Sequence, residues 1–122
     1  MADLLVDTDV CIDHLAGTGR LPRRRGRLAY STITRAELFA GPVPQLGPAR
    51  RLLAPMRELH VDRQVAERAG TVRREVGIRL PDALIAATAL VHDLALLTRN
   101  LDDFQRVPEL RLEAERIGRE WH

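Results

Sequence analysis

Asp7, Glu37, Asp82 and Asp103 are the residues around which chemistry can be built. Asp7 follows the apolar run Leu4-Leu5-Val6 and precedes Thr8 and Asp9. Asp82 opens an apolar stretch reaching Val91, and Asp102 and Asp103 close the turn that begins at Asn100. Each acid alone has an ordinary explanation. Asp7 can cap the helix after its strand. Thr34-Arg-Ala-Glu37 fits a capping box with Glu at its third helical position. Asp82 suits the positive end of a helix dipole, and acids are common in polar turns. Taken together, the acids say more. In a parallel sheet, strand ends and the starts of the following helices share one edge, where open α/β folds place their ligand sites. Asp7, Asp82 and the Asn100–Asp103 turn take such positions, and Glu37 sits one turn into its helix. Carboxylates gathered there repel one another, and stay ionised together most easily around a hard cation. Oxygen-only ligation suits Mg²⁺ or Mn²⁺ with water completing the shell. A cation so held can polarise a phosphate, activate water and steady a leaving oxygen. His14, His60, His92 and His122 lack ligand spacing, and the single cysteine, Cys11, cannot build a zinc site.

The elements that must position these acids are readable from periodicity. Leu4 to Val6, Leu28 to Ser31, Leu59 to Val61 and Ala95 to Thr98 read as strands, with Leu110 to Leu112 as a last edge strand. Helices are expected over Val10 to Leu15, from after Ser31 to Phe39 or Ala40, and over Gln45 to Met56. Further helices run from Asp62, as N-cap, to Gly77, and from Pro81 to Val91, with a helical turn over Asn100 to Phe104. Gly17, Gly19 and Gly41-Pro42 supply stops. Ile33, Ala36, Glu37 and Ala40 share a helical stripe expected to face the core, where a carboxylate is costly unless paired or bound to a cation. The Ala83–Val91 stretch is apolar nearly all round and reads as a central buried helix. Alternating strands and helices indicate an α/β fold with a mainly parallel sheet of four to five short strands, in one domain over residues 1–122.

Composition narrows the partners. All 19 basic residues are Arg, the formal charge is +2, and the aromatics are only Tyr30, Phe39, Phe104 and Trp121. Arg makes forked contacts with phosphate. The loop from Arg20 to Arg27 carries five Arg residues, and it reads either as a solvated surface or as a nucleic-acid or partner contact. Arg23, Arg24, Arg25 and Arg99 are the candidates for holding a nucleic-acid backbone. So few aromatics argue against a base-stacking platform. The N-terminus lacks the basic segment of a signal peptide, the apolar run ending at His92 is too short to span a membrane, and one cysteine permits no internal disulfide. A cytoplasmic protein that does not enter the membrane is expected.

Four segments resemble the PIN domain, and within it the toxin ribonucleases of bacterial toxin–antitoxin pairs, the VapC type. They are Leu4-Leu-Val-Asp-Thr-Asp-Val10, Ser31-Thr-Ile-Thr-Arg-Ala-Glu-Leu38, Asp82-Ala-Leu-Ile-Ala-Ala-Thr-Ala-Leu90 and Leu97-Thr-Arg-Asn-Leu-Asp-Asp-Phe104. They fall in the family's order and cover most of the chain. The resemblance implies an α/β/α sandwich and Mg²⁺-dependent endonucleolytic cleavage of RNA, with tRNA or rRNA as target. Asp7, Glu37 and Asp82 match three of the family's metal-site acids. The fourth falls at Asp103, with Asp102 as its neighbour and rival. Thr98 and Asn100 match polar residues that help order the site, and Thr8 lies beside them. Asp9 stands where the family often has Asn or Ser. A homodimer and a cognate antitoxin that binds near the active site are implied as well. No residue stands out as a separate general base, so activation of water would fall to the metal.

Two other readings compete. Leu5-Val-Asp7-Thr-Asp9-Val also resembles the opening motif of the haloacid-dehalogenase phosphatases, but that chemistry normally uses a Lys, and the chain has none. A non-cleaving PIN-fold module that binds RNA or an antitoxin is the other, against which the intact acids argue.

Overall fold

Leu4–Val6 (β1) is the middle strand of the sheet in the computed structural model, which describes residues 4–23 and 27–114. It pairs in parallel with Leu28–Ser31 (β2) on one side and Ala95–Thr98 (β4) on the other. Arg57–Leu59 (β3) extends the sheet beyond β2, and Leu112–Ala114 (β5) extends it beyond β4. The order is β3-β2-β1-β4-β5, and every pairing is parallel. β2 and β4 are buried throughout, as strands covered on both faces must be.

Helices cover both faces. They are Thr8–Ala16 (α1), Thr32–Phe39 (α2), Leu46–Leu53 (α3), Arg63–Val76 (α4), Leu80–Val91 (α5) and Leu101–Phe104 (α6). Successive strand residues point to opposite faces. Leu5, Ala29 and Leu96 therefore pack with α4, α5 and Phe104. Val6, Leu28, Tyr30 and Leu97 pack with residues of α1, α2 and α3 on the other face. This is the expected three-layer sandwich. α5 is the central buried helix its composition predicts, with Ala83 and Ile85 through Ala89 all buried. Asp62 caps α4, its carboxylate accepting from the Val65 backbone N–H at 2.9 Å. Gly77 ends α4 at φ +82°, a left-handed position that glycine takes without a steric cost.

Several boundaries differ from the sequence reading. β3 runs over Arg57–Leu59, two residues earlier than Leu59 to Val61, and β5 over Leu112–Ala114, two residues later than Leu110 to Leu112. Both are edge strands, so the apolar residue marks only one end. What sets β3 is polar. Glu58 lies in register with Tyr30, accepts from the Tyr30 hydroxyl at 2.6 Å and forms an ion pair with Arg35. α1 begins at Thr8, two residues before the expected Val10, and α3 is shorter than expected, preceded by a 3-10 turn over Val43–Gln45. Only Ile33 of the α2 stripe packs against the core. Ala36, Glu37 and Ala40 are exposed, and Thr34 and Leu38 are the buried residues of α2. Arg24 and Arg25, offered as RNA contacts, lie outside the described residues.

Candidate active site

The register of β1 against β4 builds the centre of the site. Val6 sits beside Leu97, and the Asp7 backbone N–H donates to the Leu97 carbonyl at 2.9 Å. Asp7 therefore leaves the sheet next to Thr98. It occupies the N-cap position of α1, yet its side chain makes no capping hydrogen bond. Instead Asp7 Oδ2 accepts from Thr98 Oγ1 at 2.8 Å. Thr98 Oγ1 in turn accepts from the Asn100 backbone N–H at 2.9 Å, and Asn100 Nδ2 donates to Asp103 Oδ2 at 3.1 Å. One hydrogen-bonded series thus ties Asp7 to the turn that carries Asp103. Asp102, its neighbour, is exposed.

Glu37 reaches the same edge from α2. The capping-box reading fails here, because Ser31 caps α2 by accepting from the Ile33 N–H at 3.1 Å. Thr34 lies inside the helix, and Glu37 Oε1 accepts from Thr8 Oγ1 at 2.7 Å. Asp82 lies half-buried in the first turn of α5.

Burial and neighbouring charge both act on these acids. Asp7 is 3% exposed, and its pKa is raised to about 7, chiefly by burial. The Thr98 hydrogen bond works against that rise, while Asp9 and Asp82 add to it. The pKa of Asp82 is also raised, first by burial and further by Glu37, Asp103 and Asp9, with Arg79 opposing. Asp82 therefore senses acids from α1, α2 and α6. Among the described residues, no three His, Cys, Asp or Glu side chains converge closely enough to cage a metal ion by themselves. The four acids of the expected centre are thus not gathered into a closed cage. That suits a small hydrated cation, because Mg²⁺ keeps several waters and takes only one or two carboxylates directly. The ionised Asp7 carboxylate, buried and opposed by two other acids, is the group a cation would relieve most.

Arg99 is half-exposed and pairs with two acids of α1. Its Nη1 lies 3.1 Å from Asp13 Oδ2 and its Nε 4.0 Å from Asp9 Oδ2, so it braces the β4–α6 turn against α1. Arg79, absent from the sequence candidates, is the basic residue whose field reaches Asp82. Its position three residues before Asp82 is the only hint the sequence offers.

A pH dependence follows. The folded state holds the Asp7 proton up to about pH 7, whereas an unfolded Asp releases it near 3.8. Between those values the folded state binds more protons, so stability falls as pH rises. Metal-free protein should melt at a higher temperature at pH 5 than at pH 8. A tenfold difference in proton affinity between the folded and unfolded states is worth about 1.4 kcal/mol, so the loss is at most about 3 kcal/mol across the window above pH 5. Thermal unfolding in a chelator at both pH values measures it, and equal melting temperatures would contradict the raised pKa of Asp7.

Comparison with known proteins adds the ancestry. The family model described as PIN domain matches residues 4–110. Ribonuclease VapC10 of Mycobacterium tuberculosis is 38% identical over 120 aligned positions, covering 88% of this chain and 90% of the relative. The tRNA(fMet)-specific endonuclease VapC of Salmonella typhimurium is 30% identical over 129 aligned positions, covering 93% and 98%. Among solved structures, the DNA-bound VapBC complex of Salmonella typhimurium superposes with a TM-score of 0.83 at 26% identity, covering 93% of this chain and 98% of that one. A toxin–antitoxin complex from Klebsiella pneumoniae gives 0.74 at 32% identity, covering 88% and 95%.

Proposed function

Given that this chain belongs to the PIN domain family, we propose that it is a metal-dependent endoribonuclease, the toxin of a toxin–antitoxin pair, acting in the cytoplasm on tRNA or rRNA. The observation that carries the reading is the buried Asp7 carboxyl at the end of the central strand, in a cleft where Asp82 feels Glu37, Asp103 and Asp9. The phosphatase reading drops out with the family assignment, because the PIN model spans most of the chain.

Asp7, Asp82 and Asp103 would hold Mg²⁺, or Mn²⁺ in its place, with Glu37 directly or through water. When bound, the cation supplies Lewis-acid polarisation of the phosphate and lowers the pKa of water. The protein's own groups do the rest. Thr98 holds Asp7 in one orientation, Asn100 holds Asp103, and Thr8 holds Glu37. Arg79 at the cleft is a further contact for the RNA backbone. Ile12, Leu15, Leu38, Pro42 and Ala49 line a groove of about 290 Å³ that also includes Glu37. Its apolar lining fits a segment of the antitoxin, which would then cover the site from the Glu37 side. A homodimer remains part of this reading through family resemblance. No helix among the described residues is long and apolar enough to cross a membrane.

The test is direct. Antitoxin-free protein is incubated with total tRNA and with rRNA, in Mg²⁺, in Mn²⁺ and in EDTA. Discrete fragments should form with either metal and disappear with EDTA. RNA that is bound but left whole in both metals would replace the nuclease with a binding module.

A further inference from the structure

Thr34 is fully buried, and its hydroxyl behaves unlike those of two other helical threonines. Thr71 and Thr88 donate back to the carbonyls of Glu67 and Leu84, four residues earlier, as helical threonines commonly do. Thr34 instead crosses from α2 to α1 and lies 2.9 Å from Thr8 Oγ1. Counting protons fixes the direction. A hydroxyl has one hydrogen, and an ionised carboxylate only accepts. Thr8 spends its hydrogen on Glu37 Oε1 at 2.7 Å, so the bond between the two threonines must be donated by Thr34. A one-way series therefore runs from the Thr34 hydroxyl to Thr8 and on to the Glu37 carboxylate.

We propose that Thr34 is a positioning residue for Glu37, acting through Thr8. Glu37 is exposed and its side chain is long, so unheld it would spread over many rotamers. Thr34 starts from the opposite condition. It is enclosed, and its branched side chain on a helix has few χ1 choices. The series transmits that rigidity outward to a carboxylate at the cleft. With Val at position 34 the shape is kept and the donor lost. The Thr8 hydroxyl is then no longer oriented, and Glu37 loses its fixed place.

The proposal rests on the reading that Glu37 helps hold the cation, and the experiment separates the two. Mn²⁺ is titrated by calorimetry into metal-free wild type, Thr34→Val, Thr34→Ser, Glu37→Gln and the Thr34→Val/Glu37→Gln double variant. Thermal melting confirms that each is folded. Partners that orient metal ligands are typically worth 10–100-fold in metal affinity, and Thr34 acts one bond further out, so Thr34→Val should bind Mn²⁺ about tenfold more weakly. Thr34→Ser, which keeps the hydroxyl, should recover most of that loss. The double variant should bind no more weakly than Glu37→Gln alone. Thr34→Cys, a weaker donor of similar size, should fall between Ser and Val, and serves if the Val variant does not fold. Wild-type affinity in Thr34→Val beside a weakened Glu37→Gln would remove the tether alone, as would a fully additive double variant. Wild-type affinity in Glu37→Gln would overturn the placement of Glu37 at the cation, and the tether with it.

Discussion

Asp7→Asn should abolish RNA cleavage while making the metal-free protein more stable at pH 8. The two effects have one source. Asp7 is buried, shares its surroundings with Asp9 and Asp82, and has its pKa raised to about 7. Above that pH the fold carries a charge it does not favour. Asparagine removes the charge, and its side-chain oxygen still accepts from Thr98. The rise from 3.8 to about 7 sets an upper bound of roughly 4 kcal/mol on the gain. Lost solvation of the new amide N–H groups reduces it, so a rise of a few degrees in melting temperature is expected. Cleavage should fall by more than about 100-fold, since even indirect partners of metal ligands are worth up to that much. The same variant should flatten the pH dependence of stability between pH 5 and 8. Thermal melts in EDTA, with and without the substitution, read the stability effect, and adding Mg²⁺ should stabilise wild type more than the variant. A variant that lost activity and melted lower would mean that Asp7 acts as a structural cap.

The largest loss of stability is expected from Phe104→Ala. Phe104 is fully buried and packs in the core layer with α4 and α5 residues. Truncating such a ring typically costs about 3–5 kcal/mol through lost burial and the cavity left behind. That is a large part of the net stability of any small domain. The functional consequence goes further. α6 has only four residues, too few to be helical without an anchor. Phe104 is that anchor, and Asp103 precedes it directly. Cleavage should therefore fall even at temperatures where the variant remains folded. Leu101→Ala, in the same short helix but 37% exposed, should cost far less. Denaturant unfolding and cleavage at low temperature check both expectations. Equal stability of the two variants would show that Phe104 is not the anchor.

Much of this arrangement is legible in the sequence because it rests on local signals. Leu4 to Val6, Asp62 with Gly77, and the apolar stretch after Pro81 are strands, caps and periods that work without distant partners. The edge strands lie two residues from where their apolar residues point, because pairing and not hydrophobicity sets them. Glu58 belongs to β3 through Tyr30 and Arg35, neither of which is near it in the chain. Glu37 is ambiguous for a related reason. Thr34 can be read as a cap only if the helix starts there, and Ser31 takes that role first. The buried hydroxyl that ties Thr34 to Thr8 joins residues 26 apart, and nothing local announces it. Arg99 looks like a free surface cation until the fold brings Asp13 to it.

The hydrogen bond between Thr98 and Asp7 joins residues 91 positions apart. Among the described strands β1 comes first, yet β4, one of its two neighbours, comes fourth of five. Domains form as units during synthesis, and long-range strand pairing is slow. On a translating ribosome the first strand must therefore wait, with its acid ungrouped, while Glu37 and Asp82 emerge. The acidic edge closes only once β4 and the turn after it are free to pair with β1. The acids are therefore grouped only in a chain that already carries both β1 and β4.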